Sequence, residues 1–565
     1  MTILEFIKTA ENEYQTQQVR VGDNWMWGMR THIQIIFHLI NSKFFTGQND
    51  WLRALKNIIK PVINLSIWTE DLEVKDIVFY IEERLGRVKS FLIKKFHDEV
   101  YVKEHNIDKM LDDITESDLT YGGALVEKNG KDIEVLKLES IAFCDQTDIL
   151  GGPLGFKKSF SPDKLRQEAK ERGWGEKSNG ATVTIEELIL AADTSKDQSS
   201  RYGKKNETPG KNIDVYVIKG PLPADFLNDK GKPEDWFDQI HIVAVYQGGK
   251  DKQSATLYRK KWDSSTMKFF TSKEVYGRAL GSGIGEDLLH PQIWTNFVEI
   301  HRMDMIKGGA KNVLWTDDPN YANRNKIEDL ENNEVTTLAE GRNIGQVPMI
   351  NPAAMSFFME TLNEQYEQAQ LLGSAFDPLI GKEGTSGTTF RGQERTVFQG
   401  RGIHERRRGQ RAKFIEEIYR DWIIPDIVSE ILNGKEFMAT LSGEEMQWVS
   451  ESVVQKTVNQ KIIEQVLNGE IPEDIALLTE QSKQLFLKEG NKRLFEIIKG
   501  EFRNVKIKIG INIAGKQKDL VTLSQNILSI FQMMFANPQA FQQAIQNNPA
   551  LAGTFDDVLE FSGIS

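Results

Sequence analysis

The chain has almost no cysteine. Cys144 stands alone among 565 residues, so no disulfide can close within the chain and no cysteine-built zinc site can form. That usage suits a reducing compartment such as a bacterial cytoplasm. Basic residues are also outnumbered: 70 Lys and Arg face 82 Asp and Glu, for a net charge of −12. A protein built to grip nucleic acid usually carries a basic balance, so any contact with DNA is expected to be loose or confined to one segment. No apolar run approaches the ~20 residues that span a bilayer, and no membrane partner is expected. The first residues, Met1 to Lys8, lack a basic stretch ahead of an apolar one, which predicts no secretory signal.

Catalytic signatures are missing too. The histidines (His32, His38, His97, His105, His241, His290, His301, His404) show no H-x-x-x-H spacing for a metal. No serine sits in G-x-S-x-G. The carboxylate pairs Glu416-Glu417 and Asp317-Asp318 are sequence neighbours, and neighbours on a helix point apart. Gly510-Ile-Asn-Ile-Ala-Gly-Lys-Gln517 nearly matches the phosphate loop G-x-x-x-x-G-K-[ST]. However, Gln517 replaces the hydroxyl that ligates magnesium, and β-branched Ile511 and Ile513 stand where the backbone must curl. No strand ending in Asp follows to supply a second metal ligand. The segment reads as a strand-to-helix turn. No catalytic residue, metal or cofactor is expected, and the chain does not read as an enzyme.

What is present is an α+β, mainly helical chain. Residues 72–106 carry Val78, Ile81, Leu85, Val88 and Leu92 at helical spacing. Asn129-Gly130 between two alternating runs marks a β-hairpin. Ser161-Pro162 opens a short helix through Arg172. Strand patterns recur at Ile213, Ile240 and Ala255. The second half changes character. A glycine-rich stretch, 277–285, leads into a helix bearing Ile293, Phe297 and Ile300, with Trp294 beside them, which stops near Gly308-Gly309. A polar insert, 310–350, follows. A second helix begins at Pro352, with the stripe Met355, Met359, Leu362, Tyr366 and Ala369. Then come a glycine-rich loop, Gly381–Gly387, and a basic helical segment broken by Pro425. One strand, Val505–Ile511, interrupts a helical C-terminal part.

This order of parts resembles the portal proteins of tailed double-stranded DNA bacteriophages, in particular those of short-tailed or crAss-like phages. Tyr276-Gly-Arg-Ala-Leu-Gly-Ser-Gly-Ile-Gly-Glu286 is similar to the lead-in of their first stem helix, and Thr120-Tyr-Gly-Gly-Ala to part of their wing. The likeness implies a wing at 1–280, a first stem helix at 281–306, a clip at 307–350 and a second stem helix at 351–372. It further implies a tunnel loop at 373–389, a long basic wing helix at 390–433, and a wing return with helical crown at 434–565. It implies a homo-dodecameric ring at one vertex of the virion, assembled in the host cytoplasm. Its partners would be the major capsid protein, the terminase large subunit, head–tail adaptor or tail proteins, and DNA passing without sequence specificity. The rival readings are a packaging ATPase using Gly510–Gln517 and another virion structural protein such as a tail adaptor.

Three groups of residues carry the expected contacts. Lys382, Thr385, Ser386, Thr388 and Thr389 would line the channel, on a loop whose glycines lower the barriers to backbone motion. Arg391, Arg395, Arg401, Arg406, Arg407, Arg408 and Arg411 lie with Lys413 on one segment. Consecutive arginines cannot share a helical face, so they divide between a solvated face with local ion pairs, neighbouring subunits and DNA. Trp315 and Tyr321 are the candidate docking anchors of the insert.

Overall fold

The computed structural model describes residues 3–21, 25–42, 56–80, 86–193, 212–227, 231–248, 251–309, 314–317, 344–346, 352–374, 390–433, 443–468, 474–489 and 508–511. The chain divides into two compact units, each built from separated stretches. The first comprises Met1–Asp71 and Lys109–Gly400, the second Leu72–Asp108 and Arg401–Ser565. Helices predominate, as the sequence predicts, and among the described residues no helix is long and apolar enough to cross a membrane.

A five-stranded antiparallel sheet organises the first unit. Its order is Asp251–Lys261, Trp236–Gly248, Ile213–Pro223, Leu154–Phe160 and Ile141–Phe143. Alternation along Ile213–Pro223 sends Ile213, Val215 and Val217 to one face. There they meet Leu165 and Ala169 of helix Pro162–Arg172 and Leu188 and Ile189 of helix Ile185–Asp193. Ile218, Leu222 and Val243 form a separate cluster with Ile7 of helix Ile3–Thr16. Apolar clusters therefore form against helices on either side of the strands, which is why these strands read as nearly continuous apolar runs. The expected hairpin is present: Ala124–Asn129 pairs with Asp132–Leu136, and Gly130 takes φ 68° at the turn. Met267–Phe270 adds a third strand. A buried ion pair, Lys219 with Glu127, joins a strand of one sheet to a strand of the other.

The glycine-rich lead-in meets this three-stranded sheet. Gly281 donates its N–H to the carbonyl of Gly122 at 2.9 Å. A Cβ on Gly122, whose φ is +85°, would fall on the Gly281 carbonyl and within 2.8 Å of Gly283 N. A Cβ on Gly283 would lie 2.6 Å from Gly122 N, and one on Gly285 2.5 Å from the Thr120 carbonyl. Only glycines let two backbones cross this closely. The structure thus brings together the two glycine motifs at 120–124 and 276–286.

In the second unit one expectation fails. Residues 72–106 are not continuous helix, because Ile77–Tyr80 is a strand paired antiparallel with Lys508–Ile511. Val78 stands in this strand, a short apolar run that periodicity cannot resolve, and Ile81 and Leu85 lie outside the described residues. Helix Gly86–Phe96 follows. The long basic helix spans Phe390–Ile418 and continues through a π-helical turn, Tyr419–Ile423, into helix Ile424–Asn433. Helices Gly443–Leu467 and Ile475–Glu489 pack as a pair through Val454, Val458 and Leu478.

The glycine crossing yields a comparison. Gly122→Ala adds a steric collision to an unfavourable φ and should cost about 3 kcal/mol or more in urea unfolding. Gly130→Ala has a similar φ but meets nothing within 4 Å, and should cost about 1 kcal/mol. Equal losses at the two sites would show that the crossing does not constrain the backbone.

Candidate assembly surface

The lead-in is held by charge as well as by contact. Arg278 donates from Nη1 and Nη2 to the two oxygens of Glu286, at 2.9 and 2.5 Å, and from Nε and Nη2 to the carbonyls of Leu280 and Gly281. Its guanidinium lies 4.9 Å from the centre of the Trp27 ring. His32 Nε2 stands 3.3 Å from Oε2 of Glu286, the oxygen that also accepts from Arg278 Nη2. Burial alone would push the Glu286 carboxyl up. Hydrogen bonds from His32 and Arg278, with their charges, outweigh that and hold it at about 2. The segment before the helix is thereby fixed by one bidentate pair.

Helix Leu289–Gly309 then inverts the usual arrangement. Its buried side chains include Gln292, Thr295, Asn296 and Glu299, alongside Pro291 and Val298. Gln292 accepts from the N–H groups of Ile58 and Ile59 at 2.8 and 3.3 Å, and donates to the Lys56 carbonyl and to Asn296 Oδ1. Helix Ile59–Glu70 has no capping side chain at Ile58. Asn57 accepts from Lys60 N, and Gln292 supplies the rest of the cap from 234 residues away. Glu299 is satisfied by Arg302 at i+3.

The outward face is aromatic. Trp294 Nε1–H donates to His290 Nε2 at 3.1 Å, Trp294 and Phe297 meet edge to face at 5.6 Å, and Phe297 and His301 do so at 4.3 Å. Trp294 and Phe297 are 46% and 52% exposed, and Ile293 lies beside them at 49%. Helix Pro352–Leu372 packs beside this helix. Of its predicted stripe, Leu362 and Ala369 are buried, whereas Met359 and Tyr366 are exposed together with Phe357, Leu371 and Leu372. Both helices therefore display apolar side chains that the described residues do not cover. Patches of this kind mark contacts with another macromolecule. Between the two helices, Leu314–Thr316 pairs with Ile344–Gln346, and Trp315, opposite Gly345, is half exposed. Tyr321 lies outside the described residues.

The arginine cluster is divided. Lys382, Thr385, Ser386, Thr388 and Thr389 fall outside the described residues, as do the side chains of Arg391, Arg395 and Arg401. Arg406 is exposed and Arg407 half-buried. Arg408 and Arg411 turn inward within their own unit. Both are buried, and Arg408 Nη2 pairs with Asp76 at 2.9 Å. They share the inward face of the helix with His404, Ile415 and Ile418, at the three- and four-residue spacing of one stripe. The sequence gives no signal of this, because Asp76 is 332 residues distant. Among the described residues, no group of three or more His, Cys, Asp or Glu could hold a metal.

No family model and no curated protein matches the chain. Solved structures similar to it include a chain in the neck of an empty gene transfer agent particle, 9% identical, with a TM-score of 0.34 over 81% of this chain and 96% of that one. A chain in the virion of a native gene transfer agent particle is also 9% identical, with a TM-score of 0.31 over 82% and 99%. The functional case rests on this chain's own residues.

The Glu286 pair makes stability depend on acid. Its folded value, about 2, lies below the ordinary 4.5. The stabilisation is therefore full above about pH 4.5 and is lost as pH falls through 2. The span corresponds to at most about 3 kcal/mol, and less because 19% of the side chain stays in solvent. Glu286→Gln should flatten the pH dependence of urea unfolding in that window and lower stability at pH 7. An unchanged acid limb would mean that the pair contributes nothing.

Proposed function

We propose that the chain is a phage portal protein, a ring-forming subunit at a unique capsid vertex through which double-stranded DNA is packaged and ejected. The observation that carries this reading is the pair of neighbouring helices, Leu289–Gly309 and Pro352–Leu372, with apolar outward faces and a hairpin-bearing insert between them. A helix that buries glutamine, asparagine and glutamate while exposing tryptophan and phenylalanine is satisfied only when another surface covers the aromatic side. Copies of the same chain, arranged head to tail around a closed axis, cover every such face once.

In this reading the insert, with Trp315 and Tyr321, docks the terminase and later the tail adaptor. The glycine-rich loop with Lys382, Thr385, Ser386, Thr388 and Thr389 follows the DNA backbone through weak, replaceable contacts. Contacts to phosphate carry no base preference. An acidic subunit limits sticking to the polyanion. The motor's ATP hydrolysis belongs to a separate protein.

Native mass measurement and particle imaging of the purified chain should show a closed ring, with twelve copies expected. Trp294→Glu with Phe297→Glu should give monomers that keep the helical circular dichroism of the parent, because both side chains already face solvent within one copy. A parent chain that stays monomeric at micromolar concentration would sink the reading.

A further inference from the structure

π-helical turns hold well under 1% of residues in globular proteins and often mark functional sites. Among the described residues the second unit has two, His97–Tyr101 and Tyr419–Ile423. They touch each other. Neither contains glycine or proline, the usual local causes of helix irregularity; Pro425 follows the second by two residues and lacks the N–H that an α turn would give to the Asp421 carbonyl, whereas the first has no such neighbour and is held by side-chain contacts.

Those contacts are specific. His97 Nε2 and Tyr419 Oη are 2.9 Å apart, and both residues are fully buried. Asp98 Oδ1 lies 2.7 Å from His97 Nδ1, and a tautomer with its proton on Nδ1 presents Nε2 as an acceptor. Burial, with the nearby Asp98 and Asp108 charges, raises the Tyr419 hydroxyl well above its ordinary range, so it stays protonated and donates. Phe79, from strand Ile77–Tyr80, lies 5.2 Å from the His97 ring and 6.2 Å from the Tyr419 ring. Tyr101, at the end of the first π turn, donates to Asp426 Oδ2 at 3.3 Å, just beyond the second.

We infer that the paired π turns form a register latch on the basic helix. A π turn carries one residue more than an α turn. If Tyr419–Ile423 relaxes to α, each residue upstream turns by about 100° and slides by about 1.5 Å. Every upstream side chain then takes the place of the residue before it. Lys413 moves to the buried position of Ala412, and Phe414 to the exposed position of Lys413. Arg408 moves to the half-buried position of Arg407, and Arg411 to that of Gln410. The His97–Tyr419 bond acts with Pro425 to hold the bulged register, in which Arg408 and Arg411 face inward. The latch thus controls which cations of the helix are displayed, and it does not depend on the ring.

The test uses thiol reactivity in a Cys144→Ala background. Lys413→Cys and Phe414→Cys are introduced separately, each with and without Tyr419→Phe, which removes only the hydroxyl. With the latch intact, maleimide should react quickly at position 413 and slowly at 414. Tyr419→Phe should slow the first and speed the second, so that the ratio of the two rates falls by roughly five-fold, the scale of one lost buried hydrogen bond. Opposite changes support the latch. Faster reaction at both positions, or no change at either, overturns it, because fraying exposes both and a rigid bulge exposes neither. Hydrogen exchange on the Tyr419→Phe chain, free of either thiol, guards against misfolding. Amides of Arg411–Ile418 should stay protected while those of Tyr419–Ile423 gain protection. Loss of protection in both segments also overturns the latch.

Discussion

At Gly122 and Gly281 two backbones touch with no side chain between them, and the rest of the first unit's functional half is aligned from that contact. It seats the glycine-rich lead-in against the three-stranded sheet. Arg278 then binds the turn from inside, holding two backbone carbonyls and the Glu286 carboxylate at once. The helix that begins after Glu286 therefore leaves the sheet in a direction set by bonded geometry rather than by a loose loop. Any side chain at the crossing would push the lead-in outward and move the whole of Leu289–Gly309 with it.

That helix spends its interior face on polar work. Gln292 completes the start of helix Ile59–Glu70, which has no cap at Ile58. A buried amide is tolerable only when its donors and acceptors are matched, and Gln292 meets this with bonds to Ile58, Ile59, Lys56 and Asn296. The cost appears on the opposite side, where Trp294, Phe297 and Ile293 are left to solvent. Internal alignment and external stickiness are thus two results of one choice of faces.

Much of the fold was legible because the signals were local. Asn129-Gly130 specified its hairpin, Ser161-Pro162 its helix start, and Pro352 the start of the second long helix. Periodicity also found the first long helix, but a stripe of Ile293, Phe297 and Ile300 does not reveal which side is inside. Only the distant partners Ile58 and Ile59 decide that. The same blindness hid the strand Ile77–Tyr80, whose pairing partner is Lys508–Ile511. It also hid the inward turn of Arg408 and Arg411, since a row of arginines on paper gives no hint of Asp76. In each case the deciding contact joins residues hundreds of positions apart, beyond the reach of any window read along the chain.

The pairing of Ile77–Tyr80 with Lys508–Ile511 also sets a timetable for synthesis. The first strand leaves the ribosome early, with Ile77 and Phe79 ready to be buried, and its partner emerges only near the end of the chain. At ordinary translation rates of about 5–20 residues per second, that wait lasts about 20–90 s. Meanwhile residues 109–400 can join 1–71 to complete the first unit, while a short apolar strand edge of the second stays unpaired. Such edges recruit other strands. Faithful production of this chain therefore depends on keeping one nascent segment apart from its copies on neighbouring ribosomes until its partner strand has been made.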